Sequence, residues 1–321
     1  FARDVQRVER GLAQVPGEHA GARIGDDVER AHRRERGDRD AATVMKTIDP
    51  STGRCYTIGI TGPPGAGKST IVDRLTEHLR GEGLTVGIIA VDPTSPFSGG
   101  ALLGDRIRMQ RHYLDPGVFI RSVATRGHLG GVPRLVKTMV RLLDAAGKDI
   151  VLVETVGVGQ TELGIMGVAD TVLVALMPES GDGIQALKAG IMEIADVFVV
   201  NKSDRDGADR AVKDIEAALM LKEHSDEDWR VPVLKTEATN GIGISDVIDT
   251  IEQFRESSSQ KNRRLQNRAA VRLRETLSRE FMLRLEGRAD IKLALDEAVD
   301  RISKREIDPY TAAAEIMERV Q

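Results

Sequence analysis

The sequence Gly62-Pro63-Pro64-Gly65-Ala66-Gly67-Lys68-Ser69 lies between a β-rich apolar run, Tyr56 to Thr61, and an amphipathic stretch, Ser69 to Arg80. It has the spacing G-x-x-x-x-G-K-[ST], which between a strand and a helix predicts a loop that cradles phosphates. Glycines leave room for an anion against the backbone and accept the dihedrals of such a turn. We expect Lys68 to reach the outer phosphates and the Ser69 hydroxyl to ligate Mg²⁺.

The rest of the central sequence predicts a sheet covered on both faces. The apolar runs are continuous rather than alternating, which is typical of parallel strands sandwiched by helices. Seven runs have this character: Tyr56 to Thr61, Val86 to Val91, Val118 to Val123, Ile150 to Glu154, Thr171 to Met177, Val197 to Asn201 and Val231 to Leu234. Helices are predicted at Ser69 to Arg80, Pro133 to Ala146, Gly183 to Ile194 and Ala208 to Leu221. We therefore expect an α/β P-loop NTPase fold with a mostly parallel, doubly wound sheet.

Three regions are predicted along the chain. Residues 1–44 contain few large apolar residues and indicate a helical or disordered extension. Residues 45–255 form the P-loop domain, and residues 256–321 form a helical C-terminal segment after the serines at 257–259. One apolar stripe recurs every four residues in that segment: Leu265, Ala269, Leu273, Leu277, Phe281 and Leu285. The stripe either folds back on the sheet domain or pairs with a second chain, and its place after a hinge favours self-association.

Composition excludes several classes of protein. The net charge of −4 lacks the basic bias of a dedicated nucleic-acid binder. No window approaches the roughly 18 apolar residues of a membrane-spanning helix. Cys55 is the only cysteine, which excludes an internal disulfide and favours a reducing, cytoplasmic location. Residues 1–40 match neither a secretory signal nor a transit peptide, although a leader removed before Phe1 would leave no trace.

A second motif, Asn201-Lys202-Ser203-Asp204, directly follows an apolar strand. In P-loop proteins N-K-x-D selects guanine, because the aspartate accepts hydrogen bonds from the ring N–H and the exocyclic amine that adenine does not offer. A site built on such bonds rejects the analogue that lacks them by several orders of magnitude. We expect Asp204 to select guanine, with the loop Thr236-Glu237-Ala238 closing over the base.

A third motif, Glu154-Thr155-Val156-Gly157, ends another strand. P-loop proteins keep a metal-linked acid and a γ-phosphate-sensing glycine there, so we expect Glu154 to position Mg²⁺ or water and Gly157 to sense the γ-phosphate. Asp92 and Asp105 are two further carboxylates that could face the metal. The alternatives are that Asp92 caps a turn before Pro93 and that Asp105 pairs with Arg108.

The position after the sensing glycine is occupied by Val158, where Ras-like proteins have a water-orienting glutamine. Gln160 could replace that glutamine only after a rearrangement. We therefore expect slow intrinsic hydrolysis that a partner accelerates.

Together these motifs resemble the MeaB/ArgK family of cobalamin-mutase chaperone GTPases, whose mammalian member serves methylmalonyl-CoA mutase. The resemblance runs from about Met45 to the C-terminus. The segments that carry it are Gly62 to Thr70, Val91 to Pro96, Gly99 to Met109, Glu154 to Gln160 and Asn201 to Asp204. Residues 1–44 depart from the family's N-terminal helical segment.

The resemblance implies that Asp92, Asp105 and Glu154 border Mg²⁺ and the γ-phosphate, within nucleotide-sensing loops at residues 92–108 and 154–166. It further implies a third loop, Pro178 to Lys188. There Asp182, Gln185 and Lys188 match positions that relay the mutase's signal to the nucleotide. It also implies a homodimer held by C-terminal helices.

The leading hypothesis is therefore a Mg²⁺-dependent GTPase that gates adenosylcobalamin loading onto an acyl-CoA mutase and protects the loaded enzyme. One alternative is a metal-delivery GTPase for nickel enzymes, but the histidines at 19, 32, 78, 112, 128 and 224 show no close grouping. Another is a transport-type kinase, which would need an acceptor-binding insert. The third is a non-catalytic interaction module in which nucleotide only orders the dimer.

Overall fold

The computed structural model describes residues 47–92, 110–124, 134–155, 164–178, 191–221, 229–257 and 287–320, with separate positions between 266 and 285. The chain forms two compact units, Phe1–Arg264 and Leu265–Gln321. The predicted extension at residues 1–44 lies outside the described residues.

The described part of the first unit contains one seven-stranded sheet in which every pairing is parallel. Its strands are β1 (Tyr56–Thr61), β2 (Val86–Asp92), β3 (Val118–Ala124), β4 (Ile150–Glu154), β5 (Thr171–Leu176), β6 (Val197–Asn201) and β7 (Val233–Thr236). Their spatial order is β3-β2-β4-β1-β5-β6-β7. Strands 2 to 4 lie on one side of β1 and strands 5 to 7 on the other, so β1 ends at the point where the winding reverses. Ligands of open α/β sheets bind at such a point.

Helices cover both faces of this sheet. The described helices are α1 (Lys68–Gly81), α2 (Arg134–Ala145), α3 (Met192–Ile194), α4 (Ala208–Met220) and α5 (Ile244–Glu256). The apolar sides of α1 and α5 share one core with alternate strand residues, and those of α2 and α4 share a second core with the others. The predicted doubly wound α/β fold is confirmed.

The alternation along each strand decides which side chains reach the α1 face. In β4, Ile150 and Leu152 lie in the core under α1, whereas Val151 and Val153 lie in the opposite core. A period of two therefore directs Glu154, the last residue of β4, toward α1. In β6, Val197 and Val199 also lie in the core under α1, so the same alternation directs Asn201 toward α1.

Aspartates anchor the amino ends of several strands. Asp170 Oδ2 accepts the backbone N–H of Thr57 at 2.9 Å, and Asp196 Oδ2 accepts that of Val172 at 2.7 Å. Asp149 Oδ2 in the same way accepts the N–H of Thr85, next to β2, at 2.8 Å. These carboxylates satisfy backbone donors where strands begin, which fixes the edge of the sheet away from the phosphate loop.

The predicted boundaries hold to within one or two residues for the described elements. The largest shift is in the last strand, predicted at Val231 to Leu234 and observed at Val233–Thr236. Of the helix predicted at Gly183 to Ile194, the described residues contain only the end, Met192–Ile194.

The second unit contains α6 (Ala289–Ser303) and α7 (Pro309–Val320), and the described positions between 266 and 285 are also helical. Arg301 on α6 forms an ion pair with Glu315 on α7 at 2.7 Å. Asp308 caps α7 by accepting the N–H groups of Tyr310 and Thr311 at 2.8 and 3.0 Å. No helix within the described residues is both long and apolar enough to cross a membrane.

Candidate nucleotide site

The motifs predicted from the sequence meet at the carboxyl edge of the sheet. The glycine-rich loop follows β1, Glu154 ends β4 and Asn201 ends β6. The turn Ala238–Asn240 comes after β7. Because the described strands are all parallel, these ends lie on one side of the sheet, where hydrogen bonds connect the segments that follow them.

Two glycines of the loop admit no other residue. Gly62 has φ +135°, and a Cβ there would lie 1.9 Å from the carbonyl oxygen of Ala175. Gly67 has φ +84°, and its Cβ would lie 2.3 Å from Asn201 Nδ2. The loop thus combines positive φ angles with close approach to neighbouring strands, which only glycine tolerates.

Lys68 is buried inside the loop that it closes. Its Nζ donates to the carbonyl oxygens of Gly62 and Pro63 at 2.8 and 3.0 Å. The ammonium is therefore already turned back over the cradle formed by residues 62–67. No side chain caps the start of α1 at Gly67, so the first N–H groups of α1 face the same cradle. A helix start of this kind, with a lysine folded over it, suits an anion.

Asn201 ties the phosphate loop to the loop after β7. Its Nδ2 donates to the Ala66 carbonyl at 2.9 Å. Its Oδ1 accepts from Thr236 Oγ1 at 3.1 Å and from the Ala238 N–H at 3.0 Å. The amide is buried, and these three bonds satisfy it on both ends. The motif asparagine therefore holds together the two loops that a nucleotide would contact.

The remaining residues of that motif form a turn beside β7. Lys202 has φ +58°, an uncommon conformation for a residue other than glycine. The Ser203 N–H donates to the Thr236 carbonyl at 3.0 Å, which fixes the turn. Asp204 is exposed at this turn, and Glu237 lies partly buried at the start of the neighbouring loop. The carboxylate of Asp204 is thus open to a ligand.

Ser69 and Glu154 form the oxygen-rich part of the site. Ser69 Oγ donates to Glu154 Oε1 at 2.6 Å, joining the start of α1 to the end of β4. No group of three or more His, Cys, Asp or Glu side chains with metal-binding geometry occurs among the described residues. A hydroxyl with one adjacent carboxylate fits Mg²⁺, which protein sites hold through one or two carboxylates plus substrate phosphates.

Two contacts at the site were not predicted from the sequence. Thr155 Oγ1 donates to Thr61 Oγ1 at 2.8 Å, and both side chains are buried. This bond joins the chain leaving β4 to the chain entering the phosphate loop. In the second contact, Arg74 on α1 donates to the carbonyls of Ala238 and Thr239. A sequence signal for either is lacking, because the partners are 94 and about 164 residues apart.

Several predicted site residues lie outside the described residues: Asp105, Gly157, Asp182, Gln185 and Lys188. Val158 and Gln160 lie outside them too. Asp92 is described only as the last residue of β2, where its backbone lies opposite Ala124. The roles predicted for these residues stay predictions.

The phosphate loop at the winding reversal of a parallel sheet, with a buried asparagine joining it to a second loop, defines a P-loop nucleoside triphosphatase. A profile of the family described as "Methylmalonyl Co-A mutase-associated GTPase MeaB" matches residues 27–289. The chain therefore belongs to the MeaB family of GTPases.

Individual relatives agree with this assignment. A putative GTPase of Pyrococcus abyssi is 46% identical over 291 residues, covering 89% of this chain and 90% of the relative. GTPase ArgK of Escherichia coli is 34% identical, covering 87% and 86%. The mouse methylmalonic aciduria type A homolog, a mitochondrial protein, is 41% identical over 62% of this chain and 49% of its own length.

A similar fold is found in the crystal structure of a protein named LAO/AO transport system kinase. The TM-score is 0.70 at 26% identity, and the match covers 100% of this chain and 97% of that one.

Proposed function

We propose that this GTPase binds GTP and GDP with Mg²⁺ and acts as the chaperone of an adenosylcobalamin-dependent acyl-CoA mutase of the methylmalonyl-CoA mutase type. In this role it gates cofactor loading and protects the loaded enzyme. The nucleotide part rests on Asn201, whose buried amide bonds both to the phosphate loop and to the loop after β7, residues 236–240, which we call the base loop. The family's name, which associates it with methylmalonyl-CoA mutase, supports the choice of partner.

Each end of the nucleotide has its own part of the site. Residues Gly62 to Thr70 hold the phosphates, with Lys68 exchanging its two carbonyl acceptors for phosphate oxygens, which as anions accept more strongly. Asp204 accepts from the guanine edge, while Lys202, Glu237 and Ala238 form the walls of the base pocket.

Bound Mg²⁺ would neutralise the charge that develops on the phosphate oxygens. Ser69 Oγ can offer a lone pair to the cation while its proton stays bonded to Glu154. Glu154 thus holds the Ser69 hydroxyl in one orientation, and Asp92 and Asp105 are further candidates to face the cation. Orienting the hydroxyl in advance lowers the cost of binding at the site.

Hydrolysis is proposed to be slow alone and faster with the mutase. Val158 offers no group to orient the attacking water, so the partner completes the site. Asp182, Gln185 and Lys188 are the residues proposed to transmit docking to the nucleotide, and Gly157 is the proposed γ-phosphate sensor.

Calorimetry tests the nucleotide part. With Mg²⁺ present, GDP and GTP should release heat of binding, whereas ADP and ATP should not at the same concentrations. Asp204→Asn should weaken GDP binding without creating ATP binding, and Asp206→Asn, an exposed change two positions later, is the control. Equal affinity for adenine nucleotides would disprove the guanine assignment.

Single-turnover and steady-state kinetics test the partner part. GTP turnover should rise when a methylmalonyl-CoA mutase is added, and an unrelated acyl-CoA enzyme serves as the control protein. Lys68→Ala should abolish both turnover and protection of the mutase during catalysis. Protection that survives this change would favour a non-catalytic interaction module.

The chain is further proposed to form a homodimer through its C-terminal helices. Leu273, Leu277 and Phe281 of the predicted stripe are 60%, 59% and 40% exposed within one chain. Apolar side chains in a row on one helix favour burial against a partner.

A further inference from the structure

We propose that Arg74 is a positioning residue for base recognition: it holds the base loop from the helix that carries the phosphate-binding residues. The inference rests on the proposed nucleotide function and adds a residue to it. Arg74 lies on α1, the same helix as Lys68 and Ser69. Its Nε donates to the Ala238 carbonyl at 3.0 Å and its Nη2 to the Thr239 carbonyl at 2.5 Å.

The two carbonyls belong to one tight turn, Ala238–Asn240. The Ala238 carbonyl also accepts the backbone N–H of Gly241 at 3.2 Å, so Arg74 adds a side-chain bond to the turn's own hydrogen bond. The planar guanidinium offers several N–H groups in fixed directions, so one arginine satisfies two neighbouring carbonyls at once. Lysine donates from one nitrogen only, so it lacks the two separate nitrogens in fixed directions, Nε and Nη2, that reach these two carbonyls.

Both backbone polar groups of Ala238, its N–H and its carbonyl, are consequently held by side chains. Its N–H donates to Asn201 Oδ1, and its carbonyl accepts from Arg74. Ala238 is 1% exposed; its bond to Asn201 is buried, and its bond to Arg74 is partly buried. One bond fixes Ala238 relative to β6, and the other fixes it relative to α1.

The guanidinium itself is oriented by Glu77, one turn further along α1. Arg74 Nη1 donates to Glu77 Oε2 at 2.7 Å. The hydrogen bond from Arg74 lowers the pKa of Glu77, with the charges of Arg74 and Arg111 acting in the same direction. Glu77 is therefore ionised at neutral pH, and Arg74 keeps its orientation without a ligand.

Two successive turns of α1 therefore have different roles in nucleotide binding. The first turn of α1 holds phosphate, and Arg74 in the second turn sets the position of the base loop relative to it. Loss of Arg74 should therefore weaken the part of the affinity that depends on the base. The part that depends on phosphate should remain.

The decisive comparison uses two probes, GDP and inorganic pyrophosphate. Arg74→Ala should raise the Kd for GDP about tenfold, as expected for losing charged hydrogen bonds to the loop. The inhibition constant of pyrophosphate, measured by displacement of a fluorescent GDP analogue, should change less than about twofold. Arg74→Lys should lie between, because it keeps the charge and loses the fixed spacing of the two guanidinium donors.

Arg210→Ala is the matched control. Arg210 lies on α4 with its side chain 86% exposed, and its contact with Asp214 is 3.8 Å long. This variant should bind both probes as the unsubstituted chain does.

A second measurement works without nucleotide. Amide hydrogen exchange at residues 238–241 should accelerate in Arg74→Ala while residues 63–70 keep their rates. An unchanged GDP Kd, or equal weakening for GDP and pyrophosphate, would overturn the inference and leave the proposed function standing. Failure of the unsubstituted chain to bind GDP would overturn the proposed function and the inference with it.

Discussion

At the scale of single residues, the site depends on a few atoms for which no substitute exists. The side-chain amide of Asn201 has the donor and the acceptor that its three partners require. Gly67 has no Cβ, which leaves the space that Asn201 Nδ2 occupies. Gly67 and Asn201 belong to separate motifs, yet the position of the Asn201 amide depends on the absence of a side chain at Gly67. Changes at either position should therefore affect the whole nucleotide site.

Replacing Gly62 by alanine should destabilise the protein and abolish nucleotide binding. The new Cβ would lie 1.9 Å from the Ala175 carbonyl, at a φ of +135°. A strained backbone of this kind costs about 1–3 kcal/mol before the clash is counted. Gly81→Ala is the control, since nothing lies within 4 Å of its Cβ at the end of α1. Urea unfolding and GDP titration of both variants measure the effect, and equal unfolding midpoints would contradict it.

Replacing Asn201 by alanine should cost stability as well as affinity. The change leaves the Ala66 carbonyl and the Ala238 N–H without their partner in a buried place, at about 1–3 kcal/mol for each unsatisfied group. Asn240→Ala removes an exposed amide with one 3.3 Å contact to Glu237 and should cost far less. Thermal unfolding without nucleotide separates the structural loss from the binding loss. A variant as stable as the parent would show that Asn201 only contacts ligand.

The sequence predicted Lys68, Ser69 and Glu154 as site residues because each has a fixed place in a motif at a strand end. The contact of Ser69 with Glu154 agrees with that placement. The contact of Arg74 was not predicted, because its partners are backbone carbonyls about 164 residues away. Every residue has a backbone carbonyl, so the sequence does not indicate which one accepts a bond. The Thr61–Thr155 bond escaped for a similar reason, since threonines are common in strands.

At the scale of elements, hydrophobic patterning predicted the strands well because burial on both faces leaves continuous apolar runs. It failed at the end of β7. The apolar run stops at Leu234, yet Lys235 and Thr236 still pair with Val200 and Asn201. Backbone pairing does not require apolar side chains. Pro232 has no N–H to donate, which is consistent with the later start of the strand.

An ion pair between α1 and the segment before β3 makes stability depend on pH. Arg80 Nε and Nη2 donate to the two carboxylate oxygens of Asp115, each at 2.9 Å, and the Gly117 N–H adds a third bond at 2.8 Å. The hydrogen bond from Arg80 is the main cause that lowers the pKa of Asp115. The Asp115 carboxylate therefore stabilises the fold at pH values above the ordinary aspartate pKa of about 3.9. The stabilisation is lost as pH falls through the lower pKa that Asp115 has in the folded protein.

Asp115→Asn should accordingly have a lower urea midpoint than the parent at pH 7, with the difference shrinking below about pH 4. Asp249→Asn, an exposed change on α5, should show no such difference. Unfolding curves from pH 3 to 8 provide the measurement. A difference that persists unchanged at pH 3 would mean that Asp115 acts through packing and not through its charge.

At the scale of the whole molecule, the second unit carries apolar side chains that one chain leaves exposed. Leu285 and Ile291 are buried within the chain, whereas Leu273, Leu277 and Phe281 are not. Among the stripe residues that the structure describes, Leu285 is covered, whereas Leu273, Leu277 and Phe281 are exposed. Leu285 is thus covered within one chain, and the proposed homodimer would cover Leu273, Leu277 and Phe281 with a second chain.

Leu277→Glu should convert that dimer to a monomer, because a carboxylate placed in an apolar interface loses hydration without gaining a partner. Leu293→Glu on α6 is the matched control, since Leu293 is 61% exposed and Leu277 is 59% exposed, and only Leu277 belongs to the stripe. Light scattering after size exclusion gives the mass of each. GDP affinity should stay the same in both variants, because the proposed nucleotide residues belong to the first unit and both leucines to the second. A dimer that survives Leu277→Glu, or that Leu293→Glu breaks, would place the interface elsewhere on the molecule.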